Sequence, residues 1–542
     1  MPHNDERYPT PRPVAALCVF LFFFCLYSLT LRGVPTGGDA FGMYAVAESL
    51  MEDGDVFPDP QAGEKVVLAP GVDGRPVSKY GIAQSIAEIP AYIIGRYAAE
   101  KNRTGRDDYM RYFVTSFTGP AVGALALVLF FFLCHRLGAG RRGSLLLVFL
   151  AGACTLMWPH SRLLFSEPLQ ALSLAGAFGS LVAFRRGGGL VAALAAGFFA
   201  GLGVAAKPVL VFTLLPFGAY FIASLRGTGD GRGSKTAAAG AFMLPLAMWG
   251  AVVLGYNYLR FGAFFETGYL RINDLDSIHG FNVSLLTGLH GLLFSSGKGL
   301  VFYMPLVVIA AALFPRFARR RPAEAWLLGG LFAVFLLSFS CWYCWHGDYA
   351  WGPRFMVPLA PLLLLPLTLL FGGKKDGGLP GAGLWKASVA VLAAVSILIQ
   401  ALGVFVNYNE YLRIIRHQPP FDISYYAEDP DTLELRDNLL SAHYVPEFSP
   451  IAGHYWILKH TLAGGDLPPK QLNERMKEDY PWKGLVPYAP PASAAQAARF
   501  DTWWSYYLKF YPRSARWVYP LAAGLAVVLA LAACGLWATY MA

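Results

Sequence analysis

Charged residues are scarce in this chain. Asp, Glu, Lys and Arg make up 15% of its 542 positions, whereas a soluble domain has roughly a quarter. Apolar residues make up 55%, and the mean hydropathy is +0.43. They cluster in runs close to the ~20 residues that cross a bilayer as a helix. Backbone groups inside a bilayer must be hydrogen-bonded within their own segment. The composition therefore excludes a soluble protein and predicts an all-α polytopic membrane protein.

Other absences narrow the function. The chain has no low-complexity tract and no convincing internal repeat, which counts against a transporter built from two similar halves. The net charge of +9 does not indicate a nucleic-acid partner, because the basic residues lie in short clusters between apolar runs. Most of the seven cysteines lie in or beside those runs, where they pack as small hydrophobes. For the CxxC of Cys341 and Cys344, the alternatives are packing, a local disulfide or a metal site.

We predict twelve transmembrane helices from the apolar runs. The spans are 13–32, 113–133, 144–160, 165–184, 189–206, 208–225, 236–256, 299–315, 325–343, 355–372, 385–406 and 518–541. The first run lacks a small-residue cleavage site, so we expect a retained helix.

Basic clusters orient these spans. With the N-terminal tail in the cytoplasm, all five cytoplasmic loops are basic, as the positive-inside rule requires of short loops. Their basic residues are Arg136, Arg141, Arg142, Arg185, Arg186, Arg226, Arg232, Lys235, Arg316, Arg319, Arg320, Arg321, Lys374 and Lys375. The pattern predicts a multi-pass protein of the plasma (inner) membrane with both termini cytoplasmic.

The segment 82–98 is left out of the spans. It contains polar Gln84, Ser85 and Glu88 and a central Pro90, and counting it would place every later Arg cluster outside. We predict a helix at the membrane interface, within a first external loop of residues 33–112.

The remaining external segments complete the predicted domain organisation. External loops are expected at 257–298 and 344–354. Residues 1–406 form the predicted membrane module, 407–516 a compact external domain of helical or mixed structure, and 517–542 the final helix.

Asp39 is the first candidate for chemistry. It follows two glycines after the first span and precedes a predicted helix over 40–51. Its position fits a helix N-cap, whose carboxylate accepts from backbone N–H groups. It also fits a general base at the membrane surface. The position alone leaves both alternatives open.

Further ionisable and aromatic residues lie at the predicted external helix ends. Lysines there can pair with a phosphate or snorkel to the interface, and an ionisable group near membrane depth is a functional candidate. Glycines before Lys298 suggest an anion site at a helix start, and Arg354 offers a fork of donors. The candidates are Lys79, Tyr80, Glu167, Lys207, Glu266, Tyr269, Lys298, His346, Asp348 and Arg354.

Over roughly residues 10–410 the chain resembles the GT-C glycosyltransferases, and within them the protein mannosyltransferase and lipid A aminoarabinose transferase branch. The similar motifs are GGDAFGMY with its acidic residue, SKYG before the interfacial helix, SEP after the third span, GLLFSSGKGL and WHGDYAWGPRFMVP. Many relatives have two adjacent acidic residues in the first loop, or an acidic residue directly before the lysine. Here Ala40 follows Asp39, and Ser78 precedes Lys79.

The resemblance implies a GT-C-like bundle of about twelve transmembrane helices, with a long first external loop that bears interfacial helices and a small C-terminal external domain. It also implies inverting transfer of a sugar from a polyprenyl phosphate to an acceptor hydroxyl on the external side. Asp39 would be the catalytic base, and Lys79, Lys298 and Arg354 would bind the donor phosphate. The sugar or acceptor would be bound by Tyr80, Glu167, Lys207, Glu266, Tyr269, His346 and Asp348. The acceptor is a lipid, a glycan or a protein. No cofactor and no metal are expected, because a metal-dependent relative would need more paired carboxylates.

Two other function classes remain open. Twelve spans also suit a transporter or flippase of a lipid-linked or anionic substrate, although its charges would lie nearer mid-membrane depth. A polysaccharide ligase or polymerase would share the large external segment.

In 407–516, aromatic stretches such as FDTWWSYYLKFYP suit sugar stacking, a small core or a membrane girdle. Acceptor recognition by this segment is a hypothesis.

Overall fold

A computed structural model describes most of the chain as helices joined by short connections. The described residues are 13–34, 38–59, 68–102, 107–226, 232–269, 271, 280–347, 349–372, 381–416, 443–446, 449–464 and 500–541. The predicted site residue Asp348 and most of 407–516 lie outside them.

The helices of the described residues are numbered in chain order. They are α1 Pro13–Leu29, α2 Gly38–Glu52, α3 Ile82–Asn102, α4 Asp107–Thr115, α5 Thr118–Cys134, α6 Gly140–Ala153, α7 Met157–Ser161, α8 Glu167–Arg185, α9 Gly189–Ala206, α10 Leu214–Leu225, α11 Arg232–Phe261, α12 Leu285–Phe294, α13 Leu300–Tyr303, α14 Leu306–Arg320, α15 Pro322–Ser340, α16 Thr368–Phe371, α17 Ala382–Phe405, α18 Tyr408–Arg416, α19 Pro450–Gly464, α20 Trp503–Phe510 and α21 Ala515–Met541.

Shorter elements connect these helices. Two antiparallel strands, β1 Ala69–Pro70 and β2 Pro76–Val77, pair with Ala69 opposite Val77. The short 3-10 helical turns are Val72–Gly74, Pro208–Thr213, Arg354–Leu359, Leu362–Leu367 and Pro512–Ser514, and His135–Ala139 is a π-helical turn. The predicted all-α class is confirmed, because this two-stranded hairpin is the only sheet in the described residues.

The chain is a multi-pass membrane protein. In the described part, seven helical stretches are long and apolar enough to cross a bilayer. These are Tyr109–Ala153, Gly189–Ala206, Pro208–Leu225, Gly233–Phe261, Pro322–Ser340, Ala382–Phe405 and Pro512–Met541. Other apolar helices, including Pro13–Leu29, are shorter. The count of twelve spans therefore stays a prediction.

The segment expected at the membrane interface forms α3, which continues through Pro90. One face of α3 is buried, with Glu88 and Tyr92 fully enclosed, and it packs on α2 and α4. The opposite face exposes Ile94 and Tyr97. This division is typical of a helix that covers protein on one side and meets lipid headgroups on the other.

Small residues bring the central helices close together. α9 packs against α8 and α11. A Cβ at Gly197 would lie 1.9 Å from the backbone oxygen of Phe242, and one at Gly201 would lie 2.8 Å from Trp249. In lipid, where apolar burial between helices gives little driving force, this close approach supplies van der Waals contact.

The stretch FDTWWSYYLKFYP forms a small core. Trp503 on α20 is fully buried, and its ring is tilted against that of Phe113 at a centroid distance of 5.4 Å. Its Nε1 donates to the Ser28 oxygen at 2.9 Å. Nearby, Asp501 pairs with Arg162 at 2.9 Å and Arg32 at 3.2 Å. Of the three alternatives for this stretch, the core explains Trp503.

The contact at Gly197 predicts an unequal response to two alanine substitutions. Gly197→Ala places a methyl group against backbone and is expected to lower the free energy of unfolding by about 1–3 kcal/mol. Gly250→Ala on α11 is the matched control, because a Cβ there meets nothing within 4 Å. Thermal unfolding in detergent measures both. Equal midpoints for the two variants would contradict the close packing of α9 on α11.

Candidate active site

Asp39 lies in the first turn of α2 with its carboxylate directed to other segments. Its Oδ1 accepts a hydrogen bond from the Tyr80 hydroxyl at 2.5 Å. Its Oδ2 accepts from Arg354 Nη2, also at 2.5 Å. The side chain is 28% exposed, so solvent or a ligand reaches it. Both oxygens thus serve tertiary contacts, which is a different use from the capping alternative.

These neighbours determine the charge of Asp39. Burial alone would raise its pKa, but Arg354, the hydrogen bond from Tyr80 and the ammonium of Lys79 lower the pKa to about 2. Burial and the adjacent carboxylate also raise the pKa of Tyr80 well above its ordinary value. Asp39 is therefore an anion and Tyr80 a neutral donor at neutral pH.

Arg354 connects Asp39 to a second carboxylate. Its Nε lies 3.7 Å from Glu167 Oε1, and Lys207 Nζ lies 3.9 Å from the same oxygen. Charges of opposite sign thus alternate from Lys79 through Asp39, Arg354 and Glu167 to Lys207. We call these five residues the charge row. Pairing of this kind offsets the cost of removing each charge from water.

Five separate segments supply the charge row, and all meet at one end of the bundle. Asp39 begins α2, Lys79 precedes α3, Glu167 begins α8, Lys207 follows α9, and Arg354 begins the turn Arg354–Leu359. By the predicted topology this end is external.

Tight packing shapes the loop before Arg354. Gly352 has a φ of +62°, and a Cβ there would lie 2.7 Å from the Tyr303 ring. Glycine is required for this conformation and this approach. Beyond the loop, the guanidinium of Arg354 lies 5.2 Å from the ring centroids of both Phe165 and Phe355. The aromatic rings form an apolar wall beside the charges.

Tyr269 also lies beside the charge row. Its ring centroid is 5.7 Å from Lys79 Nζ, and burial and Asp39 raise its pKa. The structure therefore brings together seven of the predicted site residues, namely Asp39, Lys79, Tyr80, Glu167, Lys207, Tyr269 and Arg354.

Three other predicted site residues contact different parts of the chain. Lys298 is fully buried, and its Nζ donates to the Ala350 oxygen at 2.5 Å, beneath the loop that leads to Arg354. Glu266 shapes the turn after α11, where it accepts from the Gly268 N–H at 2.8 Å. His346 lies with its ring centroid 5.3 Å from that of His443. Direct roles for these three stay predictions.

The structure adds residues to the set expected from sequence. His160 is buried, and its Nε2 lies 2.9 Å from the Trp351 oxygen in the loop before Arg354. Arg260 is buried near the loop of Lys79 and Tyr80. In the sequence, Arg260 could have been found as a charged residue at the end of a long apolar helix. Among the residues described, no group of three or more His, Cys, Asp or Glu side chains is placed to hold a metal ion.

This chain is similar to known proteins in its structure, whereas its sequence gives no match. No protein-family model and no curated protein matches the sequence. The chain is similar to ArnT from Cupriavidus metallidurans, an aminoarabinose transferase crystallised with undecaprenyl phosphate, at 13% identity and a TM-score of 0.45. The match covers 82% of this chain and 79% of that one. The apo form of that protein has a TM-score of 0.42 at the same coverage.

A second similar structure is the archaeal oligosaccharyltransferase AglB from Archaeoglobus fulgidus, in complex with an inhibitory peptide and a dolichol-phosphate. Identity is 13%, the TM-score is 0.42, and the match covers 81% of this chain but 63% of that one. Both proteins are of the GT-C class, so the predicted resemblance is confirmed as a likeness to members of that class.

The ion pair at Asp39 predicts a pH-dependent contribution to stability. The folded pKa is lowered from 3.8 to about 2. The contribution is therefore fully present above about pH 4 and is lost as the pH falls toward about 2. We expect Arg354→Gln to reduce this loss, because the neighbour that lowers the pKa of Asp39 most is then gone while the burial that raises it remains. Thermal midpoints measured from neutral to acidic pH test this.

Asp53→Asn, at an exposed carboxylate after α2, is the control for general effects of removing an acid. It should keep the acid-side loss of the wild type. Identical acid profiles for wild type and Arg354→Gln would contradict the ion pair.

Proposed function

We propose that this protein is a membrane glycosyltransferase that moves a sugar from a polyprenyl-phosphate donor to an acceptor hydroxyl at the external face of the plasma membrane. The observation that carries the proposal is the convergence of Asp39 with two cations, Lys79 and Arg354, at one end of the bundle. The lipid part of such a donor suits the apolar helices around that end. The basic residues in the predicted internal loops support a topology with both termini in the cytoplasm.

The proposed reaction is a single inverting displacement at the anomeric carbon. Asp39 accepts the proton of the acceptor hydroxyl while the acceptor oxygen forms its bond to that carbon. The bond from the same carbon to the phosphate oxygen breaks, and polyprenyl phosphate leaves with the bonding electrons. Base assistance and stabilisation of the leaving anion are the two contributions that the step needs.

Lys79 and Arg354 are the proposed phosphate ligands. A guanidinium can donate two parallel hydrogen bonds to a phosphate, and an ammonium adds a compact positive charge. Lys298, fully buried beneath the loop of Arg354, is proposed to hold that loop in position and to add positive charge from behind it.

Arg354 also links donor binding to the strength of the base. While it pairs with Asp39, the carboxylate has a pKa of about 2 and is a weak proton acceptor. A donor phosphate competes for the same guanidinium. When Arg354 turns to the phosphate, Asp39 loses its largest stabilising neighbour, and burial raises its pKa. The base is thereby strengthened once the donor is present.

The remaining members of the site are proposed to bind the sugar or the acceptor. Glu167 and Lys207 continue the charge row beyond Arg354, and Tyr80 and Tyr269 offer hydroxyl groups near Asp39 and Lys79. Polar groups spaced along a wall of aromatic rings suit a sugar, which presents hydroxyls at its edge and C–H groups on its face. Glu266, His346 and Asp348 stay candidates for the same role.

Replacing the proposed base tests the enzyme directly. Asp39→Asn is expected to lower transfer to an acceptor hydroxyl by at least about 100-fold, since general base catalysis contributes about that much. Binding of polyprenyl phosphate should persist, because the cations remain. Asp53→Asn is the matched control and should keep wild-type turnover. The measurements are transfer of radiolabelled sugar and lipid binding in nanodiscs.

Unchanged turnover in Asp39→Asn would end the assignment of the base. Movement of the lipid across sealed vesicles by the wild type, with no transfer to any acceptor, would support the transporter alternative instead.

A further inference from the structure

A buried arginine at the end of α11 contacts the loop that carries Lys79 and Tyr80. Arg260 is 2% exposed. Its Nη1 donates to the backbone oxygens of Ser78 and, at 3.3 Å, of Tyr80. These two carbonyls belong to the residues on either side of Lys79, so a single guanidinium spans the backbone at that position.

The guanidinium is itself held in one orientation by its own helix end. Its Nη2 donates to Asn257 Oδ1 at 2.7 Å, and Asn257 Nδ2 donates to the Phe264 oxygen at 3.0 Å. The Tyr256 ring centroid lies 3.8 Å from the guanidinium carbon, and that of Phe261 lies 4.8 Å away. Stacking and hydrogen bonding together fix the plane of a side chain that would otherwise have many rotamers.

The loop that carries Lys79 and Tyr80 needs hydrogen-bond donors from another segment. Residues 78–81 lie between β2 and α3, outside regular secondary structure, and buried carbonyls there require donors from elsewhere. The same short loop supplies both the Tyr80 hydroxyl, 2.5 Å from Asp39, and the Lys79 ammonium that acts on Asp39. A shift of its backbone would move both groups at once.

We propose that Arg260 is a positioning residue that acts through Lys79 and Tyr80 to set the geometry of the donor-phosphate site. The inference rests on the proposed function and deepens it, because it assigns the placement of the phosphate-binding lysine to a residue on α11. Lysine cannot replace arginine here, because its single nitrogen cannot donate to these two carbonyls and also be held by Asn257, as the two terminal nitrogens of the planar guanidinium are.

The test is a double-mutant cycle on binding of polyprenyl phosphate alone, in nanodiscs and without turnover. Arg260→Lys keeps the positive charge and is expected to raise the Kd by about 10-fold, the order typical for a lost charge-assisted hydrogen bond. In a Lys79→Met background the same substitution should change the Kd by less than about 2-fold, because a residue that acts through Lys79 has nothing left to position.

Arg162→Lys is the matched control. Arg162 is also 2% exposed and also donates to backbone oxygens, those of Thr30 and Asp501. Through Asp501 it holds the segment before α20, and not the loop of Lys79. Its substitution should lower the thermal midpoint and leave the Kd unchanged. Asn257→Ala, which releases the Arg260 guanidinium without removing it, is the second variant. It should raise the Kd about 3-fold, again only when Lys79 is present.

Other outcomes would overturn the inference. An equal rise in Kd with and without Lys79 would mean that Arg260 acts on the phosphate independently. A wild-type Kd in both Arg260→Lys and Asn257→Ala would mean that the contact of Arg260 with the loop serves packing and does not position Lys79. Failure of the wild type to bind polyprenyl phosphate would instead contradict the proposed function, and the inference with it. Loss of activity in Asp39→Asn together with wild-type binding in Arg260→Lys would leave the proposed function standing and remove only the positioning role.

Discussion

The ion pair between Asp39 and Arg354 joins the start of α2 to the loop after α15. Both charges are partly withdrawn from water, and an opposite charge close by offsets the cost of that burial. Once this pair is fixed, Glu167 is needed on the other side of Arg354, and Lys207 is needed beside Glu167. The ends of α2, α8 and α9 and the turn that begins at Arg354 are therefore coupled by electrostatic attraction as well as by packing.

Apolar packing and polar chemistry occupy different parts of the molecule. Along α9, glycines allow neighbouring backbones to approach closely, which leaves little room for polar side chains between the central helices. The charge row instead collects where helices begin and end. Helix ends present unpaired backbone groups and tolerate irregular connections, so a polar site forms there without interrupting the apolar interior.

Much of this architecture could be predicted from the sequence, because it depends on local patterns. Apolar runs predicted the helices, and the helix predicted over 82–98 is observed as α3, while its position at the membrane interface stays a prediction. The predicted helix over 40–51 is observed as α2, Gly38–Glu52. The count of spans could not be settled in this way, since helices such as α1 are short by length alone and their burial depends on neighbours.

The site was harder to predict, because contacts between distant residues leave no spacing signal. Asp39 and Arg354 were both expected at the site, but their direct pairing was not. Lys298 and Arg354 looked alike in sequence, since each lies beside glycine at a predicted helix start, yet Lys298 is enclosed and Arg354 meets Asp39. Arg260 was missed because its partners are backbone carbonyls, which any sequence supplies.

The hydrogen bond from the Asp501 N–H to the Phe405 oxygen, at 3.0 Å, joins two parts of the chain that are far apart in the sequence. The backbone at the end of α17 thereby meets the backbone just before α20, so the two ends of the intervening segment are adjacent in space. Segments whose ends lie close together tolerate insertions and deletions better than segments that bridge a long distance. A change in the length of this segment is therefore compatible with an unchanged spacing between α17 and α20.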